Sequence, residues 1–248
     1  MQSDNENKNE YTGKIAKALA GEVELDAVEA FKQANELTKG NFSTFILSGF
    51  IVAATVIVTI FMLLQILGVP IEQYNDMNAT QSAIVDVTLV LLISPLMAGL
   101  MMMGVKSARQ KNVKVGDLFN WVSITVVLAL GSLIASILVQ IGMMLFIIPG
   151  IYFGIATTFT LPLIADKKLT AISALILSVR VTTKYFLQIF IFFIISIVLF
   201  MFAAFTFGIA LIWVLPLYFN AKGILYDKLF GDEQGVDAST SNASVFDA

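Results

Sequence analysis

The chain has 248 residues, 58% of them hydrophobic and 13% charged, with a formal net charge of -3. That balance leaves more apolar surface than a water-soluble fold can hide, so lipid is the solvent for most of the chain. With no cysteine and no histidine, disulfides, thiol nucleophiles, Cys/His metal sites and histidine acid–base chemistry are excluded.

Residues 1–21 are polar and charged, lack the short apolar core of a signal peptide, and read as a disordered cytoplasmic segment. Over 22–40, Leu25, Val28, Phe31, Ala34 and Leu37 recur every third residue, which predicts an amphipathic helix on the inner membrane surface or beneath the spans. Glu22, Glu24 and Asp26 at its start and Lys39 at its end suit the helix dipole.

A membrane domain follows over 41–230. Residues 40–71 and 87–105 carry no charge and predict spans near 42–68 and 83–105. Residues 118–165 and 185–221 are also uncharged. At ~1.5 Å per residue each is too long for one crossing of ~30 Å, so each should be a hairpin. The spans fall near 118–140, 149–165, 185–204 and 208–226. Thr170 is placed to cap an interfacial helix over 170–184, and 231–248 reads as a disordered cytoplasmic tail.

The fold expected is therefore all-α: a polytopic membrane protein, a six-transmembrane-helix bundle of three hairpins with an N-terminal amphipathic helix. Charge placement agrees. All 15 Lys and Arg fall in the N-terminal segment, in 106–114, in 167–184 or in the tail. Six spans put every one on the same side, the cytoplasmic one, with both termini there.

The candidate headgroup or partner contacts are Lys106, Arg109, Lys111, Lys114, Lys167, Lys168, Arg180 and Lys184. Asp86 reads as a residue of the first helical turn, capped by Thr80 or Ser82, rather than as a proton carrier. Asn220 is one turn after Pro216, placed to bond a carbonyl freed by it. Pro149 fits the first turn of the fourth helix, and Gly150, Gly154, Thr157 and Thr158 form a small-residue packing stripe.

Pro95, Pro162 and Pro216 each open a Pro-Leu step in a span returning to the cytoplasm, which suggests three similar hairpins. "SPLMAGLMMMGVKSARQKNVKVGDLF" (94–119), "IIPGIYFGIATTFTLPLIAD" (147–166), "ALILS" (174–178) and "LPLYFNAKGILYDKLFG" (215–231) stand in this order. Together they resemble a group of bacterial six-span proteins of the YciC type, itself similar to the membrane domain of some glycerophosphoryl diester phosphodiesterases. The resemblance implies a six-helical protein of the bacterial inner membrane and carries no established chemistry.

No phosphate-cradling loop, paired carboxylates or zinc motif is present in the sequence. The function expected is a non-enzymatic, partner-binding or lipid-interacting membrane component without cofactor or metal. Its partners are membrane lipids, with other membrane proteins or further copies of the chain as alternatives, and no nucleic acid. A small-solute transporter or permease subunit is the first rival and an intramembrane enzyme the second.

Overall fold

A computed structural model describes residues 13–231. Nine α-helices and three short 3-10 segments make it up, with no strand among the described residues. Of the ends expected to be disordered, 1–12 and 232–248 lie outside the described residues.

The polar N-terminal segment departs from expectation at once. Helix α1, Lys14–Ala20, forms there, and Ala18 is fully buried, with Ile15 and Leu19 packed against the same core. Their i, i+3, i+4 spacing supplies the apolar face. Gly21, at φ 85, ends the helix in the left-handed conformation that glycine adopts freely.

The amphipathic helix and the first span are one element. Helix α2, Ala27–Leu67, runs 41 residues without a break, started by Asp26, whose carboxylate accepts from the backbone N–H of Val28 and Glu29. Gly40 does not interrupt it. Its buried stripe is Ala27, Ala30, Phe31, Ala34 and Thr38, whereas Val28 is exposed. The true periodicity is helical, i, i+3, i+4, and every third residue only approximates it.

Helix α3, Ala79–Ala108, begins earlier than expected because Asn78 and Gln81 form a reciprocal capping box. Thr80 and Ser82 do not cap, and Asp86 lies in the second turn, exposed. Next, Val115–Phe119 and Val122–Ile124 form 3-10 turns before helix α4, Thr125–Leu145. The third apolar helix thus starts some residues later than 118. Leu118 is fully buried and its carbonyl lies against Gly99 of α3, so this stretch crosses the bundle instead of ascending beside it.

The fourth apolar segment is broken. Helix α5, Ile147–Ala156, and helix α6, Thr160–Lys167, are separated at 157–159. Ser178 repairs the break from helix α7, Ala171–Lys184. Its hydroxyl donates to the Ala156 carbonyl at 2.7 Å and accepts the Phe159 N–H at 3.2 Å. Thr170 caps α7 through the Ser173 N–H. Helix α8, Phe186–Phe205, and helix α9, Leu211–Phe230, complete the chain.

Helix α9 is the axis of the fold. Along most of its length it is buried against α2 and α3, and at its crossing with α3 a Cβ on Gly104 would collide with the Phe219 carbonyl. Among the described residues, five helical segments are long and apolar enough to cross a membrane: Ala27–Leu67, Ala79–Ala108, Val115–Leu145, Ile147–Lys167 and Phe186–Phe205. The protein is therefore an all-α, multi-pass membrane type. Helix α9, expected as the sixth span, is not among them, since Lys222, Asp227 and Lys228 occupy its second half.

Candidate functional site

The three helices carrying the Pro-Leu steps, α3, α6 and α9, converge at their C-terminal ends. Pro95, Pro162 and Pro216 are each buried within them. Arg109, immediately after α3, reaches both others. Its Nη1 and Nη2 donate to the two Asp166 carboxylate oxygens at 2.9 Å each, and its Nε donates to Asp227 Oδ1 at 2.7 Å. Such a fork-to-carboxylate pair fixes orientation as well as distance.

Three further side chains tighten the junction. The Tyr226 hydroxyl is 3.1 Å from Asp166 Oδ2 and 3.3 Å from the Pro162 carbonyl oxygen. Lys167 Nζ is 3.7 Å from Asp166 Oδ2. Lys14 Nζ, from α1, is 3.8 Å from Asp227 Oδ2 and donates to its backbone carbonyl. Asp166 raises the Arg109 pKa above its ordinary value, burial opposes that, and Asp227 adds to the rise. The guanidinium is thus a permanent cation tying three helix ends and α1 into one knot.

Beside the junction lie two adjoining clefts that share Asn120 and Trp121, of 240 and 470 Å³. The smaller is lined by Lys106, Arg109 and Lys111; the larger is lined by Lys168 with Ile124, Val127, Ile164 and Leu169. Asp117 shapes the rim: it takes Lys106 Nζ at 2.8 Å and the Lys114 N–H at 2.8 Å, holding the 3-10 turn that presents Trp121. The smaller cleft carries three cations with Asp117, the larger is mainly apolar with Lys168, and the Trp121 indole lines both.

Of the sequence candidates, Lys106, Arg109, Lys111 and Lys168 come together here. Lys114 is exposed on the turn, Lys167 is drawn into the junction, and Arg180 and Lys184 are exposed on α7 and line neither cleft. Asn220 does not serve the proline: its amide donates to Thr38 Oγ1 at 3.0 Å and Asn41 Oδ1 at 3.2 Å, and Asn41 donates to Ser107. The packing stripe also shifts. Gly150 lies 2.9 Å from where a Cβ on Gly142 would sit, so the seam is Gly142–Gly150; Gly154 is exposed, with nothing within 4 Å of its Cβ position. Pro149 is in the first turn of α5.

Sequence reasoning missed Trp121, Asp166, Asp227 and Lys14. A signal existed for two of them: each Pro-Leu helix leads to one junction charge, Arg109, Asp166 or Asp227, so the opposite signs could have been paired. No family model, curated protein or solved structure matches the chain.

Proposed function

We propose that the protein is a non-enzymatic, lipid-interacting component of the bacterial inner membrane. Its six membrane-embedded helices enter as three hairpins from one basic, cytoplasmic face that also holds both chain ends. The YciC-type motifs and the one-sided placement of Lys and Arg support that topology. The ligand class is an anionic amphiphile, a phospholipid with a negatively charged headgroup.

The observation that carries this reading is the pair of clefts that share Trp121, the smaller rich in cations and the larger mainly apolar. A headgroup phosphate suits Lys111 and Lys168, and the upper acyl chain suits Ile124, Ile164 and Leu169. Each base near a membrane surface contributes about 1 kcal/mol toward an anionic lipid. The test is quenching of Trp121 fluorescence by brominated lipids in a Trp213→Phe background. Brominated anionic lipid should quench at lower mole fraction than brominated zwitterionic lipid, and Lys111→Gln with Lys168→Gln should erase most of the difference. Equal quenching by both lipids in the parent would overturn the reading.

A further inference from the structure

The third hairpin is shorter than the first, and three contacts measure by how much. Helices α3 and α9 touch where Gly104 meets Phe219 and Gly223. Beyond that crossing α3 continues about 37 Å to Ala79, whereas α9 continues only about 16 Å to Leu211. From the Arg109–Asp227 ion pair the same two distances are about 45 Å and about 24 Å. On α2, Leu215 packs against Gly49; beyond it α2 runs about 27 Å to Leu67 and α9 about 6 Å to Leu211. Each route leaves α9 about 21 Å of helix short of the α2–α3 tip, and Trp213, which donates to Asn35 Oδ1 far down α2, puts the start of α9 no nearer to it.

The upper half of α2 tells where the hydrocarbon lies. Ile57, Phe61, Met62 and Ile66 are exposed there, so lipid must reach nearly to Leu67. The α2–α3 connection just beyond is polar, with Glu72, Gln73, Asn75 and Asp76. The α8–α9 tip is the opposite: Phe205, Phe207 and Ile209 project outward, Phe207 at 99% exposure, with no charge nearby.

The tip is also built for a place without water. Every backbone N–H from Thr206 to Val214 has an acceptor inside the turn. Gly208 donates to the Ala203 carbonyl at 2.9 Å, Phe207 to Ala204 at 3.1 Å, and Ala210 to the Thr206 hydroxyl at 3.0 Å. An unpaired N–H in hydrocarbon is costly, and a turn facing water has no need of such closure.

We infer that α8–α9 is a re-entrant hairpin: it enters from the basic face, turns at Phe207 short of the far face, and leaves by the same face, its tip held by lipid acyl chains. It runs obliquely through the bilayer, because α8 alone is about 30 Å long. This rests on the membrane topology proposed above. Charge placement does not separate a re-entrant hairpin from a full one, because both return to the side of origin.

The chain contains no cysteine, so single cysteines report cleanly. Phe207→Cys, Gln73→Cys and Lys111→Cys are labelled in sealed vesicles of both orientations with a membrane-impermeant maleimide. Gln73→Cys should react from one face and Lys111→Cys from the other, while Phe207→Cys reacts from neither until detergent is added. A nitroxide at Phe207→Cys should be relaxed far more by oxygen than by a water-soluble nickel chelate. Reaction of Phe207→Cys from the Gln73 face would overturn the re-entrant hairpin and leave the topology standing. Reaction of Gln73→Cys and Lys111→Cys from the same face would overturn both.

Discussion

Replacing Gly104 with alanine tests whether the α3–α9 crossing is the keystone of the bundle. The added Cβ falls deep inside van der Waals contact with the Phe219 carbonyl oxygen, and Gly223, on the facing helix, meets the Gly104 backbone in turn. These are main-chain atoms inside helices, so no side chain can swing away; the helices must separate. Overpacking of this kind costs about 1–3 kcal/mol, against a helix-propensity gain from Gly to Ala of up to about 1 kcal/mol. The net expectation is a loss of about 1–2 kcal/mol, or about 2–8 °C in melting temperature for a chain of this size. Gly154→Ala is the matched control, since that site opens on empty space and offers the propensity gain alone. Both variants are followed by thermal unfolding of detergent-purified protein, read by circular dichroism. The Gly104→Ala/Gly223→Ala pair should lose less than the sum of its parts, because both substitutions open the same contact. Gly104→Ala melting at or above the parent would refute the argument.

Arg109→Ala should destabilise by about 2–3 kcal/mol, less than a fully buried pair, since it strands Asp166 and Asp227 behind a partly exposed rim; guanidinium midpoints in mild detergent would show it, and Arg109→Lys should recover only part because the fork to Asp166 is lost. Asn220→Ala removes hydrogen bonds to Thr38 and Asn41 and should cost about 0.6–1.7 kcal/mol, measured the same way. Ser178→Ala leaves the Ala156 carbonyl and the Phe159 N–H without their partner at the α5–α6 break; a loss of about 1–3 kcal/mol is expected, with faster amide exchange at 157–160 as its local signature. Asp86→Asn, exposed in the second turn of α3, should change neither stability nor expression.

Hydropathy and helix length made most of the helical architecture legible because they answer to simple physics: an apolar run long enough to cross. They located α3, α7 and α8 within a few residues. Three features escaped for physical reasons. The join at Gly40 was invisible because an isolated glycine in a helical pattern marks a break no better than it marks a continuous helix. The 3-10 turns at 115–124 were hidden because uncharged residues look alike whether they ascend through lipid or lie across a neighbour, as Leu118 does over Gly99. The Gly154 stripe failed because small residues show that close approach is permitted, not from which side it comes.

The site was half legible. Lys106, Arg109 and Lys111 stood out as a basic cluster, but a cluster on paper has no acids facing it. In three dimensions Asp117 takes Lys106, while Asp166 and Asp227 take Arg109, so two of the cluster's most prominent cations serve structure first. What remains toward a ligand is defined by Trp121 and Lys168, residues separated in sequence and joined only because 115–124 folds across α3. Helix α9 shows the same limit from the other direction. Its apolar part stops at Ala221, before Lys222, and that shortness could be read as a weak span or as a helix that goes only part of the way. Choosing between them takes a second helix alongside as a ruler, and α2 and α3 supply it at Gly49 and Gly104.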